Sequence, residues 1–61
     1  MPVIHFYGPA IPKEKKEVLA AEFARAASKA TGIPVDKMIT YLHGMDPEDI
    51  GLGEELLVNR K

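Results

Sequence analysis

The sequence predicts an α/β (α+β) chain, a single β-α-β unit with a short C-terminal hairpin, whose sheet is completed by pairing with another subunit. Three observations predict it. A β-branched and aromatic run from Val3 to Tyr7 stops at Gly8-Pro9. A long segment, Lys13 to Thr31, carries apolar residues at helical spacing and ends at Gly32 and Pro34. A second apolar run, Met38 to His43, follows that stop.

In the first strand, Val3 to Tyr7, Gly8-Pro9 breaks the run, and Ala10-Ile11-Pro12 forms a loop. Pro12 suits the first turn of a helix, where its missing N–H is not needed. In the helix, Val18, Leu19, Phe23, Ala26, Ala27 and Ala30 form the expected inner stripe. Glu14, Lys15, Glu17, Glu22, Arg25 and Lys29 fall largely on the other side. The many alanines after Leu19 favour helix and allow close approach of another element. Gly32 is placed to end the helix in the left-handed conformation, and Pro34 forbids continuation.

In the second strand, Ile39, Tyr41 and His43 share one face, and Met38, Thr40 and Leu42 the other. Both faces carry bulky groups, so both are expected to be covered. Asp46-Pro47-Glu48-Asp49 reads as a turn or one helical turn. Residues Ile50 to Val58, with Gly51 and Gly53 around Leu52, read as a short hairpin or bulged arm before a frayed Asn59-Arg60-Lys61 end.

The 61 residues form one domain, 1–61, too small to be comfortable alone. Without cysteines it has no disulfide or thiolate metal site, and two histidines are too few for a structural metal. Oligomerisation or unusually good packing remains. A helix joining two strands makes them parallel. A two-stranded parallel sheet has open edges, and one helix covers one face, so a homo-oligomer built on dimers is expected. The net charge of -1, from 8 basic and 9 acidic residues, offers no nucleic-acid arm. No apolar run approaches a membrane span, and no signal-peptide pattern opens the chain, so a cytoplasmic protein without membrane partners is expected.

The chain resembles the 4-oxalocrotonate tautomerase family, of the small-subunit tautomerase superfamily. The residues that carry the resemblance are Met1-Pro2-Val3-Ile4, Lys15-Lys16-Glu17-Val18-Leu19, Gly32-Ile33-Pro34 and Ile50-Gly51-Leu52-Gly53. The resemblance spans nearly the whole chain. It implies a cofactor-independent isomerase, a hexamer of three dimers or a related oligomer, and sites built at subunit boundaries. It also implies that Pro2, once Met1 is removed, takes a proton from an enol or keto acid and returns it to another carbon.

The chemistry suits that role. A terminal proline is a secondary amine, and an α-amino group has an unperturbed pKa of about 7.7–8.0. Desolvation disfavours its cation, which leaves a neutral base at physiological pH. The bland reading is that Pro2 only begins a strand.

The resemblance is incomplete at the substrate. Family members that act on dicarboxylates carry an arginine in the loop before the helix, where Gly8-Pro9-Ala10-Ile11-Pro12 has no cation. A second family arginine, at the start of the second strand, is matched by Met38-Ile39, with Lys37 just before it. A lysine does not reproduce a guanidinium's two-pronged grip, so a monoacid or an uncharged carbonyl compound fits as well as a dicarboxylate. The family's pocket-wall aromatic is matched by Ile50.

The substrate-binding candidates are therefore Lys37, Ile39, Tyr41 and Ile50, each with a plainer alternative. Lys37 binds a carboxylate or is simply solvated; Ile39 and Ile50 line a pocket, a core, or both. Tyr41 and His43 donate to an enolate or pack between subunits. His5 is expected to be partly exposed, and Tyr7 to pack over the helix or an interface. Asp46, Glu48 and Asp49 activate a water, as in hydrating relatives, or form a solvated turn. No metal site is expected. Two other functions stay open: the same amine serving a hydratase, dehalogenase or decarboxylase, and a non-catalytic oligomeric binding module.

Overall fold

The computed structural model describes residues 1–60; Lys61, expected within the frayed end, lies outside the described residues. Strand β1, Val3–Pro9, leads through a short loop into helix α1, Lys13–Thr31. A 3₁₀ turn, Val35–Lys37, precedes strand β2, Ile39–Met45. A second 3₁₀ turn, Pro47–Asp49, leads to a hairpin of β3, Gly51–Leu52, and β4, Glu55–Leu56, and a last 3₁₀ turn spans Leu57–Asn59. No helix among the described residues is long and apolar enough to cross a membrane.

β1 and β2 pair in parallel, in register from Val3↔Ile39 to Pro9↔Met45, as the connecting helix requires. Both strands run two residues further than their apolar runs suggest. Gly8 pairs with Gly44 and Pro9 with Met45, because ladder pairing continues where side-chain bulk stops. Pro9 is tolerated since β1 is an edge strand. Gly44 leaves room for the loop that crosses this end of the sheet: a Cβ there would lie 3.1 Å from the Ala10 Cα.

α1 has the predicted bounds, but Pro12 stands just before its first turn rather than inside it. The Pro12 carbonyl accepts from the N–H groups of Lys15 and Lys16 at 3.0 and 3.1 Å, which satisfies two of the free donors at this end. At the other end Gly32 has φ 79° and donates to the Ser28 carbonyl at 2.8 Å. Thr31 Oγ1 donates to the Ala27 carbonyl at 2.7 Å, and Ser28 Oγ to the Ile33 carbonyl at 2.6 Å. Replacing Gly32 by Ala forces a side chain into the left-handed region and is expected to cost about 1 kcal/mol. A urea melt reads this as a lower midpoint; Gly51→Ala, with open space around it and no positive φ, is the control expected to leave the midpoint in place.

The helix covers one face of the sheet. Ile4 and Phe6 point toward it, and the Phe6 and Phe23 rings meet at 5.7 Å and 46°. Leu19, Phe23 and Ala27 form the half-buried stripe, together with Ala20 and Ala24. The expected stripe needs correction: Val18 is 63% exposed, and Ala26 and Ala30 are exposed too. Alanines on every side of the helix blur its apolar phase, so spacing alone does not resolve which face turns inward.

Among the described residues, none is fully buried. The chain exposes 4927 Å², whereas a compact monomer of its 6.7 kDa would expose about 3,900 Å². Its radius of gyration is 14.8 Å, against about 10.5 Å for a compact chain of this length. The second face of the sheet, expected to be covered, is open in the single chain. It carries Val3, His5, Tyr7, Ile39, Tyr41 and His43, in the register that places these residues side by side.

Candidate active site

Pro2 is half-buried at the start of β1. Its carbonyl accepts from the Ile39 N–H at 3.0 Å, so the ladder grips Pro2 immediately beside its ring. Met1, 81% exposed, precedes it. Its peptide bond makes the Pro2 nitrogen an amide without basicity, and only removal of Met1 turns that nitrogen into an amine.

Ile39 begins β2 opposite Val3, so Pro2 and Ile39 are brought together as the sequence suggests. Lys37 lies at the same end of the sheet, although not on a strand. It closes the 3₁₀ turn Val35–Lys37, its N–H donating to the Pro34 carbonyl at 3.0 Å, and its side chain is exposed. The turn arises because Pro34 holds an extended conformation (φ -54°, ψ 142°), and its carbonyl then takes the first bond of the turn. Lys37 thus ends a turn rather than starting the strand, and Pro34-Val35-Asp36 is the signal of that turn.

Tyr41 shares the open face with Ile39, two residues along, and is 50% exposed. Ile50 lies elsewhere. It follows β2 and the Pro47–Asp49 turn, and its carbonyl accepts from the Leu57 N–H at 2.8 Å. The length of β2 separates that end of the sheet from the Pro2 end, about 20 Å at the usual strand rise.

Two grooves among the described residues do not include Pro2 in their lining. One, of about 490 Å³, is lined by Ile11, Glu14, Lys15, Val18, Leu19 and Glu22. The other, of about 410 Å³, lies against Ala21, Ala24, Arg25, Ser28, Lys29 and Val35. None of the predicted site residues lines either groove.

The open face holds an arrangement that residue spacing did not reveal. His5 Nδ1 and His43 Nε2 lie 2.9 Å apart, in hydrogen-bond contact. Tyr7 stacks on His43 with centroids 4.2 Å apart and planes at 9°. Tyr41 stacks on His5 at 5.1 Å and 18°. Tyr7 is thus on the side away from the helix. The available signal was the alternation of His5 with Tyr7 and of Tyr41 with His43, which a parallel register sets side by side. The carboxylates of Asp46, Glu48 and Asp49 offer oxygens within 4.8 Å of one another, all on exposed residues.

The fold is that of 4-oxalocrotonate tautomerase structures. The chain superposes on the crystal structure of YwhB, a homologue of that enzyme, with TM-score 0.86 and 16% identity, covering 98% of this chain and 100% of that one. A further 4-oxalocrotonate tautomerase homologue gives TM-score 0.86 at 22% identity, over 100% and 98%. 4-Oxalocrotonate tautomerase isozymes of Methylibium petroleiphilum give 0.80 at 21%, over 97% and 100%. At such identities the likeness is one of backbone fold. No family model matches the sequence, and no curated protein does.

Proposed function

We propose that this chain is the subunit of a homo-oligomeric, cofactor-independent cytoplasmic tautomerase, a hexamer built on dimers, in which the Pro2 amine, freed from Met1, is the general base. The observation that carries the reading is the position of Pro2: half-buried, with its carbonyl held by the Ile39 N–H at 3.0 Å, immediately before β1 of a tautomerase-type backbone. The grip fixes the ring, and the ring fixes the direction of the lone pair.

In the proposed reaction the neutral amine accepts the enol O–H proton as the carbonyl forms. The resulting pyrrolidinium delivers a proton to the substrate carbon and is neutral again, so acid and base roles alternate on one atom. Lys37, at the same end of the sheet, faces a substrate carboxylate. Ile39 and Tyr41 line the apolar approach, and Ile50 closes it from a neighbouring copy.

The test is ketonisation of phenylenolpyruvate and of 2-hydroxymuconate, followed by ultraviolet absorbance, on protein whose N-terminus has been read by mass spectrometry. Chains that begin at Pro2 are expected to turn over. Chains that retain Met1 are expected not to. Equal rates from both forms reject the amine as base. Lys37→Ala is expected to raise KM for an enol acid about two- to fivefold, as for an exposed ion pair. It should leave KM for a neutral enol unchanged.

A second reading keeps the amine but adds water to the substrate. One observation favours it: the Asp46, Glu48 and Asp49 carboxylates cluster directly before Ile50 and would travel with it to a neighbour's Pro2. A substrate panel with unsaturated and halogenated acids separates the two.

A further inference from the structure

We infer that His5 and His43 together chelate a divalent transition-metal ion of the copper(II) or nickel(II) class on the tyrosine-lined face of the sheet. Imidazole nitrogen is the common protein ligand for such ions. The two rings stand 38 residues apart in sequence, and the parallel pairing of β1 and β2 brings them to one place. His5 Nδ1 and His43 Nε2 face each other at 2.9 Å. Among the described residues, neither ring is drawn into an ion pair.

The separation selects the ion. Two nitrogens bound to one ion at about 2.0–2.1 Å lie about 2.8–3.0 Å apart when they sit at a right angle, and about 3.3–3.4 Å apart at the tetrahedral angle. The histidine pair stands at the first of these distances. Right-angled neighbours belong to the square-planar and tetragonal sites of copper(II) and nickel(II), and tetrahedral ones to zinc. Copper(II) also binds a given donor set most tightly in the divalent series. The acidic turn is the other place where a cation could settle. Its three carboxylates, from Asp46, Glu48 and Asp49, offer only oxygen, which suits magnesium, calcium or manganese rather than copper.

Chelation needs both facing nitrogens free of hydrogen. In the free pair one donates and the other accepts. Moving the shared hydrogen to the far nitrogen of its own ring frees the second lone pair, and each neutral ring keeps one N–H. Each ring also turns to aim its lone pair at the ion. The stacked tyrosines hold the rings beside one another while they do so: Tyr7 lies on His43 at 4.2 Å and 9°, and Tyr41 on His5 at 5.1 Å and 18°. Val3, Tyr7, Ile39 and Tyr41, which share the face, carry no fixed charge to repel a dication. Two rings do not fold a chain around a metal, so the ion is a guest of a pair the fold has already assembled, with water in its remaining positions.

The test needs no enzyme assay, so its outcome is separate from that of the Pro2 reading. Copper(II) sulfate is titrated calorimetrically into the full chain in a non-coordinating buffer. A parallel sample takes up the ion during refolding from urea, so that copies covering the face do not exclude it. Saturable binding of no more than one ion per chain is expected, and electron spin-echo modulation on the complex is expected to count two imidazoles. His5→Gln and His43→Gln, checked for folding by circular dichroism, are each expected to weaken binding by about 10²-fold or more, because losing either ring ends the chelate. Should a variant fail to fold, the imidazole count on the wild-type chain decides alone: two sustains the inference, and one or none overturns it. A wild-type chain without saturable copper binding overturns it as well. So does a folded glutamine variant at either position that binds as the wild type does, since the ion then sits at the amino terminus or the acidic turn.

Discussion

Blocking the Pro2 amine is expected to lower kcat for enol ketonisation by about 10²- to 10⁴-fold, the range attributed to a positioned general base. The cleanest variant is a chain from which Met1 is not removed, because its Pro2 nitrogen is an amide and accepts no proton. Pro2→Ala is a milder change. Once processed, it still ends in an amine, but no ring directs the lone pair, so a fall of about 10²-fold is expected. The same reasoning fixes the sign of the pH dependence. A base must be neutral to act, so kcat/KM falls as pH drops through the ionisation of the amine. The acid limb therefore reports the ionisation of that amine. Stopped-flow absorbance on mass-verified protein measures both effects. An unchanged rate in the Met1-retaining chain removes Pro2 from the mechanism.

Phe23→Ala is expected to be the most damaging substitution for stability. The Phe23 ring reaches from the middle of α1 to Phe6 on β1, with centroids 5.7 Å apart. It is a principal tie between helix and sheet in a chain with no fully buried residue among those described. Aromatic-to-alanine changes in full cores cost about 3–5 kcal/mol; half-burial reduces the expected cost to about 2–4 kcal/mol. A domain of this size holds only about 3–9 kcal/mol in total. A large part of the population should therefore unfold, visible as loss of helix signal and a collapsed urea midpoint. Phe23→Leu keeps most of the apolar contact and is expected to cost under about 1.5 kcal/mol. An alanine variant as stable as the parent would show that another contact holds helix to sheet.

The site was only partly legible in the sequence. The parallel direction that brings Pro2 near Ile39 follows from two strands and the crossover between them, and the face pattern of the two strands sets the register. Lys37 was legible as a cation near that end, but the turn that carries it was not, since three residues after Pro34 hold no periodic signal. Ile50 was matched to a pocket wall by its place in the sequence. In the chain it caps the Pro47–Asp49 turn, and its carbonyl is held by the Leu57 N–H, a contact no linear pattern discloses. The His5–His43 contact joins residues 38 apart in sequence and depends on a diagonal step between strands.

By itself, the sequence determined the order of elements, the bounds of the helix and the parallel pairing. Each of these follows from local chemistry: Gly32 and Pro34 stop the helix, β-branched runs make strands, and a helix between two strands fixes their direction. Tertiary structure alone decided which helix face turns inward, which side of the sheet stays open, and which site residues a single chain can gather. The reason is physical. Alanine is nearly neutral between inside and outside, so the large side chains, with Phe23 against Phe6, orient the helix. That orientation leaves the histidine and tyrosine face exposed.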